Sequence, residues 1–341
     1  MKAIHSLSVI GLSKNAGKTT VLNALIRDYP LSDSPLGLLS MGIDGERHDA
    51  WSGREKPLVR VCENMLVATS ATWLNHQPGN WEVLQACGIS SLLGDVYIAR
   101  AKREGTVMLA GIPTRSGAER AIHLLGEAGA GKILLDGAYD RRSPSSPWLT
   151  DASIVVIGAS LSPSLQEVVK KAEEWFHLFR LEESSLPLEQ QAGQIAYRQR
   201  RMVAVTEGRL ETLPYSGFFD LKEKEEMQAG NWDALAVAGA LTDSMLEILM
   251  ENRQSVRLIV PSATHLFVSL PKIRRFYQQG GEIRVLKPVR LIKAAINPDS
   301  PDGYSFSPQE MKEKIGRVCF PLPVMDVVRD PREQGVWDGV L

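Results

Sequence analysis

The stretch that most constrains the fold lies near the start of the chain, at residues 11–20, and has the sequence GLSKNAGKTT. An apolar, strand-like segment precedes it at residues 3–10, and a helix-like segment follows it at residues 19–29. A strand, a glycine-containing loop, Gly-Lys-Thr and a helix form the layout of a phosphate-binding P-loop. The pattern therefore predicts an α/β fold in which this loop binds nucleotide phosphates.

The residue types in this stretch suit phosphate binding. Small residues allow backbone N–H groups to point at phosphate oxygens, and the N-terminus of the helix adds a partial positive charge. Lys18 is predicted to reach the β- and γ-phosphates, and the hydroxyl of Thr19 to ligate Mg²⁺. The predicted nucleotide-binding residues are Lys14, Asn15, Ala16, Gly17, Lys18, Thr19 and Thr20.

The loop departs from the usual P-loop pattern at its first position. The usual spacing places the first glycine at the position of Leu12, whereas Gly11 lies one residue earlier in this chain. The loop also contains an additional lysine, Lys14. We interpret it as a variant P-loop; the alternative is that Gly-Lys-Thr falls by chance at a turn between a strand and a helix.

A second motif, residues 132–138 with the sequence KILLDGA, contains an apolar, strand-like run that ends in Asp136. An apolar strand ending in aspartate is typical of a Walker B element, in which the carboxylate approaches Mg²⁺ opposite the P-loop. We therefore assign Thr19 and Asp136 to the metal. The alternative is a strand that ends in an ordinary Asp-Gly turn.

Two further carboxylates, Asp44 and Glu46, follow a strand-like segment at residues 36–42. Carboxylates just beyond a strand lie at the edge where parallel sheets bind ligands. Asp44 either holds Mg²⁺ through a water molecule or orients an attacking water, and Glu46 is the nearby alternative. The predicted catalytic residues are thus Lys18, Asp44 and Glu46, and the competing interpretation of Asp44 is an Asp-Gly turn.

The alternation of strands and helices predicts a doubly wound, mainly parallel sheet of P-loop NTPase type, followed by a second, smaller α/β domain. The predicted domains are residues 1–185 (P-loop NTPase domain), 186–201 (connector), 202–330 (C-terminal α/β domain) and 331–341 (tail). Other local predictions are a hairpin over residues 57–69, a helix at 81–88, strands at 95–100 and 106–111, and an edge strand at 321–326.

Composition excludes several classes of protein. The chain has 341 residues and a formal net charge of −1, so it shows no basic excess for binding nucleic acid or anionic membranes. It contains no apolar run long enough for a transmembrane helix. Its three cysteines, Cys62, Cys87 and Cys319, lack CxxC spacing, which favours reduced, buried thiols in a cytoplasmic protein.

Four other polar residues carry weaker signals. Arg115 follows a strand, where it either contacts phosphates or substrate or is a solvated loop charge. Asp140 and Arg141 form either a γ-phosphate sensor or an internal ion pair. His265 has no metal ligands at matching spacing and is interpreted as a hydrogen-bonding residue. Residues 297–303, NPDSPDG, indicate an exposed turn.

Residues 14–20, KNAGKTT, resemble the loop of the small P-loop proteins of molybdopterin-cofactor biosynthesis, which carry KNSGKTT. Residues 44–46 are loosely similar as well. This resemblance covers only the start of the chain, and the length and the second domain of this protein do not fit it.

A wider set of segments resembles a P-loop accessory protein, described as a reactivase subunit, that is encoded beside the cobalamin- and pyridoxal-phosphate-dependent lysine 5,6-aminomutase. The resemblance covers most of the chain and implies an ATP-driven helper that restores an inactivated cobalamin enzyme together with a partner ATPase subunit. The segments that carry it are GLSKNAGKTT (11–20), IDGE (43–46), LDGAYDR (135–141), VPSATH (260–265) and INPDSPDG (296–303).

The leading interpretation is a cytoplasmic, Mg²⁺-dependent P-loop nucleoside triphosphatase, a hydrolase that couples ATP or GTP to action on a partner enzyme. Residues 157–160 lack the Asn/Thr-Lys-x-Asp motif that specifies guanine, which favours ATP. One alternative is a small-molecule kinase or ATP-dependent ligase of cofactor biosynthesis, with its substrate between the domains. Another is a nucleotide-binding scaffold with little hydrolysis. The oligomeric state is left open, with a homodimer among the alternatives.

Overall fold

The computed structural model describes residues 3–30, 34–42, 58–137, 143–214, 232–251, 255–331, 335 and 337. It has a mixed α/β architecture with a large, mostly parallel sheet and several smaller sheets. The chain divides into two compact units. The first unit combines Met1–Glu173 with Arg290–Leu341, and the second unit is Glu174–Val289.

The bounds of the described elements are as follows. The strands are β1 (Ser6–Gly11), β2 (Leu36–Met41), β3 (Val59–Val61), β4 (Leu66–Ser70), β5 (Trp81–Ser91), β6 (Gly94–Ala101), β7 (Gly105–Val107), β8 (Gly111–Ile112), β9 (Lys132–Gly137), β10 (Ala152–Gly158), β11 (Val203–Thr206), β12 (Arg209–Thr212), β13 (Ala234–Ala236), β14 (Leu241–Thr242), β15 (Arg257–Val260), β16 (Leu266–Phe267), β17 (Glu282–Val285), β18 (Leu291–Asn297) and β19 (Val324–Met325). The α-helices are α1 (Lys18–Arg27), α2 (Ala71–His76), α3 (Arg115–Glu127), α4 (Leu165–Phe179), α5 (Pro187–Gln199), α6 (Asp243–Glu251), α7 (Leu270–Gln278) and α8 (Pro308–Cys319).

The large sheet of the first unit has the strand order β19-β18-β10-β1-β9-β2-β4-β6-β5, and β8 also pairs with β2. Every neighbouring pair from β19 to β4 is parallel, whereas β4–β6 and β6–β5 are antiparallel. All residues of β10 and nearly all of β1 are buried. Continuous buried runs of this kind are typical of parallel strands covered on both faces. The prediction of a mainly parallel sheet is confirmed.

Helix α1 buries its apolar face in the core of the first unit. Val21, Leu22 and Leu25 follow helical spacing and are at most 1% exposed. Burying each such leucine contributes roughly 1.5–3 kcal/mol to folding. Trp337 adds to this core because its indole ring lies edge-on to Tyr29, with ring centroids 5.2 Å apart, and its Nε1–H donates to the carbonyl of Leu25 at 2.8 Å.

The second unit is a smaller α/β structure. Its five-stranded sheet has the order β12-β11-β13-β15-β17, in which β13, β15 and β17 are parallel and β11 is antiparallel to both of its neighbours. A short parallel pair, β14–β16, lies outside this sheet. Helix α5 packs closely on the sheet, since a Cβ at Gly193 would lie 3.2 Å from Ile259.

The boundaries of the two units lie after Glu173 and after Val289. The predicted domain boundaries, at residues 185, 202 and 330, are different. Strand β18 pairs with β10 through Ala294 and Ala295, which are fully buried, so the chain returns to the first sheet at Arg290. Residues 186–201, predicted as a connector, contain α5 of the second unit. In the predicted tail, Trp337 is buried, and Gly335 accepts a hydrogen bond from Lys293 Nζ at 2.7 Å.

The predicted helix at residues 81–88 is wrong, because this segment is strand β5, paired antiparallel with β6. Trp81, Leu84 and Cys87 are three residues apart, which imitates helical spacing. The register of β5 against β6 shifts twice, between Val83 and Gln85 and between Ala86 and Ser90. These irregularities break the period-two alternation by which a strand is normally identified.

The predicted hairpin at residues 57–69 is also wrong. Strand β3 pairs with β7, and β4 lies between β2 and β6. All five residues of β4 are buried, as expected for a strand inside a sheet. The predicted strand at residues 106–111 is divided into β7 and the start of β8. The predicted edge strand at residues 321–326 is confirmed as β19.

The cysteines only partly follow the prediction of buried thiols. Cys87 and Cys319 are buried, but Cys62 is exposed. Burial raises the pKa of the Cys87 thiol to about 11, so it remains protonated at neutral pH. In the described part of the chain, no helix combines the length and the apolar character needed to cross a membrane.

Candidate functional site

The candidate site lies at the edge of the large sheet where its parallel strands end. In register, Val9 of β1 is opposite Asp136 of β9, and Gly158 of β10 is opposite Asn297 of β18. The carboxyl ends of these four neighbouring strands therefore meet on both sides of the loop that joins β1 to α1. Such edges are where open α/β sheets bind ligands.

The β1–α1 loop (residues 12–17) depends on glycine at its end. Gly17 is the N-cap of α1 and has a φ of 103°, a left-handed conformation that favours glycine. A Cβ on Gly17 would also lie 3.2 Å from the side chain of Asn297. Asn15 has a φ of 59°, which asparagine tolerates better than most residues. The loop thus adopts a tight curve that most sequences would not form.

Strand β10 and the residues after it hold this loop in place. The N–H of Leu12 donates to the carbonyl of Val156 at 3.0 Å. The Oγ of Ser160 donates to the carbonyl of Lys14 and is hydrogen-bonded to the Oγ of Ser13, both at 2.8 Å. These bonds satisfy polar groups of the loop on its inner side, so its shape is fixed before any ligand binds.

Gly158 permits the closest approach in the site. A Cβ at this position would lie 2.6 Å from Cα and 2.8 Å from the carbonyl oxygen of Ala16, which is fully buried. Real Cβ atoms do not come so close to backbone atoms. A side chain at Gly158 would therefore displace the β1–α1 loop.

The N-terminus of α1 has the electrostatic character of an anion site. Its N-cap, Gly17, offers no side-chain acceptor, and its first turn contains no acidic residue. The helices α5 and α7 likewise have no side-chain cap, whereas Ser70, Thr114 and Ser307 cap the N-termini of α2, α3 and α8 by accepting backbone N–H groups. No side chain therefore caps the first N–H groups of α1, and the helix dipole adds positive potential there.

The predicted binding residues all lie in this loop or in the first turn of α1. Lys14, Gly17, Lys18 and Thr19 are half-buried, Asn15 and Thr20 are exposed, and Ala16 is buried. The side chain of Lys18 folds over Gly11, where a Cβ would lie 3.1 Å from the Cγ of Lys18. Gly11 therefore gives Lys18 the space to lie along the loop, although it is one residue earlier than the usual first glycine.

Asp136 lies near the carboxyl end of β9, the strand that pairs with β1. It is opposite both Val9 of β1 and Ser40 of β2, and its Oδ1 atom is shielded from solvent. Together with the hydroxyl of Thr19 it offers the hard oxygen ligands that Mg²⁺ prefers. Among the described residues, no group of three or more histidines, cysteines or acids could hold a metal alone. The donor set therefore fits Mg²⁺ that takes its remaining ligands from phosphates and water.

Several other sequence predictions fall elsewhere. Asp44 and Glu46, and likewise Asp140 and Arg141, lie outside the described residues. Arg115 opens α3, and its Nε lies 3.0 Å from Glu119 Oε1, a pair of half-exposed side chains one helical turn apart. This geometry favours the interpretation of Arg115 as a solvated charge.

His265 is a hydrogen-bonding residue, as predicted. Its Nδ1 lies 3.2 Å from Ser262 Oγ and 3.1 Å from Thr264 Oγ1, and these two hydroxyls are 2.6 Å apart. The three residues follow β15 in the second unit.

Sequence reasoning missed three residues that shape the site: Gly158, Ser160 and Asn297. Each follows or ends an apolar strand, which is the same signal that identified Asp136. This signal identifies a site residue only when the strand order is known. The strand order places β10 next to β1 and β18 next to β10.

Comparison of the chain with family models, with curated proteins and with solved structures found no match.

Proposed function

We propose that this protein is a Mg²⁺-dependent P-loop nucleoside triphosphatase that uses ATP and acts as an accessory or reactivating factor for a partner enzyme. The observation that carries the proposal is the N-terminus of α1, whose N-cap is Gly17 and whose first turn contains no acidic residue. This helix follows the central strand β1, which pairs with β9 at Asp136. This arrangement is suited to a phosphate chain with a bound metal ion.

Different groups at the site would bind different parts of a triphosphate and its metal ion. The backbone N–H groups of the loop and of the first turn of α1 donate to phosphate oxygens, and the Lys18 ammonium neutralises charge at the β- and γ-phosphates. Thr19 and Asp136 would hold Mg²⁺, and the bound ion would offset phosphate charge during transfer. The preformed loop needs little reorganisation, so its donors stabilise charge that develops in the transition state.

Water must be oriented for hydrolysis, and Asp44 or Glu46 is the residue proposed for this role. Both follow β2, whose end is adjacent to β9 and therefore to Asp136. A carboxylate at this place would accept a hydrogen bond from the attacking water.

The partner is proposed from the resemblance to the accessory protein of lysine 5,6-aminomutase. The segments that carry this resemblance include the β1–α1 loop and Asp136 of the candidate site. Hydrolysis would then drive a change in the partner. Nucleotide and partner would also affect each other's binding affinity by the same factor.

The decisive experiment is ATP turnover by the purified protein with Mg²⁺, with and without a lysine 5,6-aminomutase. We expect slow basal hydrolysis that rises with the partner, and a loss of about a hundredfold or more in Lys18→Ala. Lys170→Ala, an exposed lysine on α4, is the matched control and should hydrolyse ATP at the wild-type rate. Unchanged turnover in Lys18→Ala would exclude the proposed site.

A further inference from the structure

Asn297, the last residue of β18, lies beside the N-cap of α1. A Cβ on Gly17 would be 3.2 Å from both the Cβ and the Nδ2 of Asn297, and 3.4 Å from its Cγ. The half-buried amide side chain therefore packs along Gly17. Because the backbone N–H groups around Gly17 are the proposed phosphate donors, this amide borders the place where α1 would receive phosphate.

The turn after β18 sets the orientation of this amide. Asn297 Oδ1 accepts the backbone N–H of Asp299 at 3.2 Å. With the oxygen held in this way, the NH₂ group is the part of the amide that remains for a ligand. Within the described residues Nδ2 donates no hydrogen bond, so it can offer two N–H donors beside Gly17.

The turn by itself does not require asparagine at position 297. Aspartate and serine side chains also accept a backbone N–H two residues further along the chain. A carboxylate beside the N-cap of α1 would repel phosphate, whereas an amide is neutral and presents donors. The amide is thus suited to the same anion that the helix N-terminus attracts.

The surroundings of the amide are fixed, and the nearest acid along the chain is paired. The carboxylate of Asp299 accepts a hydrogen bond from Arg329 Nη2 at 2.6 Å, so its negative charge is compensated locally. The hydroxyl of Tyr304 donates to the carbonyl of Ala159 at 2.8 Å, which ties the turn after β18 to the residues that follow β10. A ligand would therefore meet Asn297 in a defined position.

The strand order places Asn297 on the side of the site away from the proposed metal ion. Asp136 lies on β9, one neighbour of β1, whereas β10 and then β18 follow on the other side of β1. A metal ion in a P-loop site bridges the β- and γ-phosphates, so the transferred γ-phosphate would lie toward Asp136. Asn297 is thus placed to contact a phosphate that is not transferred.

We propose that Asn297 is a phosphate-binding residue whose Nδ2 group donates a hydrogen bond to a phosphate that ATP and ADP share, an inference that rests on the function proposed above. Such a contact is the same before and during transfer of the γ-phosphate. It therefore contributes to nucleotide affinity and not to the rate of the chemical step. Its kinetic signature is a change in KM without a change in kcat.

The test measures the dissociation constants of ATP and ADP, with Mg²⁺, for the wild type, Asn297→Asp and Asn297→Ser. Aspartate still accepts the N–H of Asp299 but replaces the donor by a charged oxygen, so both nucleotides should bind about a hundredfold more weakly. Serine keeps an acceptor and removes the donor, so both should bind about tenfold more weakly. In ATP turnover, Asn297→Ser should raise KM by a similar factor and leave kcat within about twofold.

Asn64→Asp is the matched control for an added charge. Asn64 is exposed and precedes β4, which is parallel to β2, so it lies at the opposite edge of the sheet. This variant should bind both nucleotides with wild-type affinity. Thermal unfolding without nucleotide shows whether each variant is folded, and either Asn297 variant alone decides the matter if the other fails to fold.

Three results would overturn the role of Asn297 and leave the proposed phosphate site standing. They are unchanged nucleotide affinity in the Asn297 variants, a loss of affinity confined to ATP, and a fall in the kcat of Asn297→Ser. Failure of the wild type to bind either ATP or ADP overturns the proposed function instead.

Discussion

Each unit contains parallel strands that end at one edge of a sheet. The edge in the first unit carries a helix N-terminus without a side-chain cap, whereas the edge in the second unit carries side chains that are hydrogen-bonded to one another. In the first unit, the edge beside β1 carries α1 with a glycine N-cap and no acid in its first turn. In the second unit, Ser262, Thr264 and His265 after β15 bond one another, and Asp243 accepts the N–H of Ser269 at 2.7 Å.

This difference separates two uses of the same topology. Polar groups that bond one another at a sheet edge stabilise the unit that contains them and have little left for a ligand. At the N-terminus of α1, no side-chain cap competes with a ligand for the first backbone N–H groups, so an anion that binds there gains from them. The contrast predicts that equivalent substitutions at the two edges will affect different properties.

The largest effect should come from Asp136→Asn in the first unit. Loss of the carboxylate removes the proposed metal ligand, so we expect ATP turnover with Mg²⁺ to fall by about a hundredfold. Turnover measured against Mg²⁺ concentration is the readout, and Asp95→Asn, a change at an exposed aspartate on β6, is the control. If Asp136→Asn needs no more Mg²⁺ than the wild type, Asp136 is not a metal ligand.

Gly158→Ala should have the next largest effect. The added methyl group would collide with the backbone of Ala16, which overpacks the site and costs about 1–3 kcal/mol of unfolding free energy. The displaced loop should also bind ATP about tenfold more weakly. Urea denaturation and equilibrium binding measure the two effects, and Gly126→Ala, where a Cβ meets no atom within 4 Å, is the control.

A matched pair of serines compares the two edges directly. Ser160→Ala removes the hydroxyl that bonds Lys14 and Ser13, and should weaken ATP binding by about fivefold. Ser262→Ala removes a fully buried hydroxyl from the cluster around His265, and should lower the unfolding free energy by about 1–2 kcal/mol while turnover stays unchanged. Equal effects of both changes on ATP binding would contradict the proposed contrast.

The smallest effect concerns pH and a surface charge network of the second unit. Arg257, and then Arg284, hold the pKa of Glu282 below its ordinary value of 4.5. A carboxylate with a lowered folded pKa stabilises the protein above its unfolded pKa, and this stabilisation is lost as the pH falls from 4.5 through the lowered pKa.

Arg284→Gln should therefore destabilise the second unit by about 0.5 kcal/mol at neutral pH, because these side chains are partly exposed. The difference from the wild type should disappear below the lowered pKa of Glu282. Urea denaturation at a series of pH values measures it, and a difference that grows with acidification would contradict the assignment.

Much of the first sheet could be predicted, because its signals are local. The apolar runs of β1, β9 and β10 are continuous, and the Gly-Lys-Thr stretch joins a strand to a helix within a few residues. The same local patterns gave the candidate site residues, which are the loop residues from Lys14 to Thr20 and Asp136. Helix α3 and strand β15 follow equally plain patterns.

The remaining features depend on contacts between distant parts of the chain. Asn297 belongs to the site only because β18 pairs with β10, and no local pattern specifies that pairing. The strand β5 was mistaken for a helix because its register shifts break the alternation that sequence reasoning relies on. The insertion of the second unit between β10 and β18 was missed for the same reason.

The discontinuity of the first unit determines when it can be completed during synthesis. Residues Glu174–Val289 form a continuous segment, so every residue of the second unit has been synthesised before Arg290 is added. The first sheet lacks β18 and β19 until later, and Trp337 closes over α1 later still. Since domains generally fold as units, the second unit is expected to mature before the first. A nascent chain would thus gain β18, and with it the contact of Asn297 with Gly17, only after most of the chain has been made.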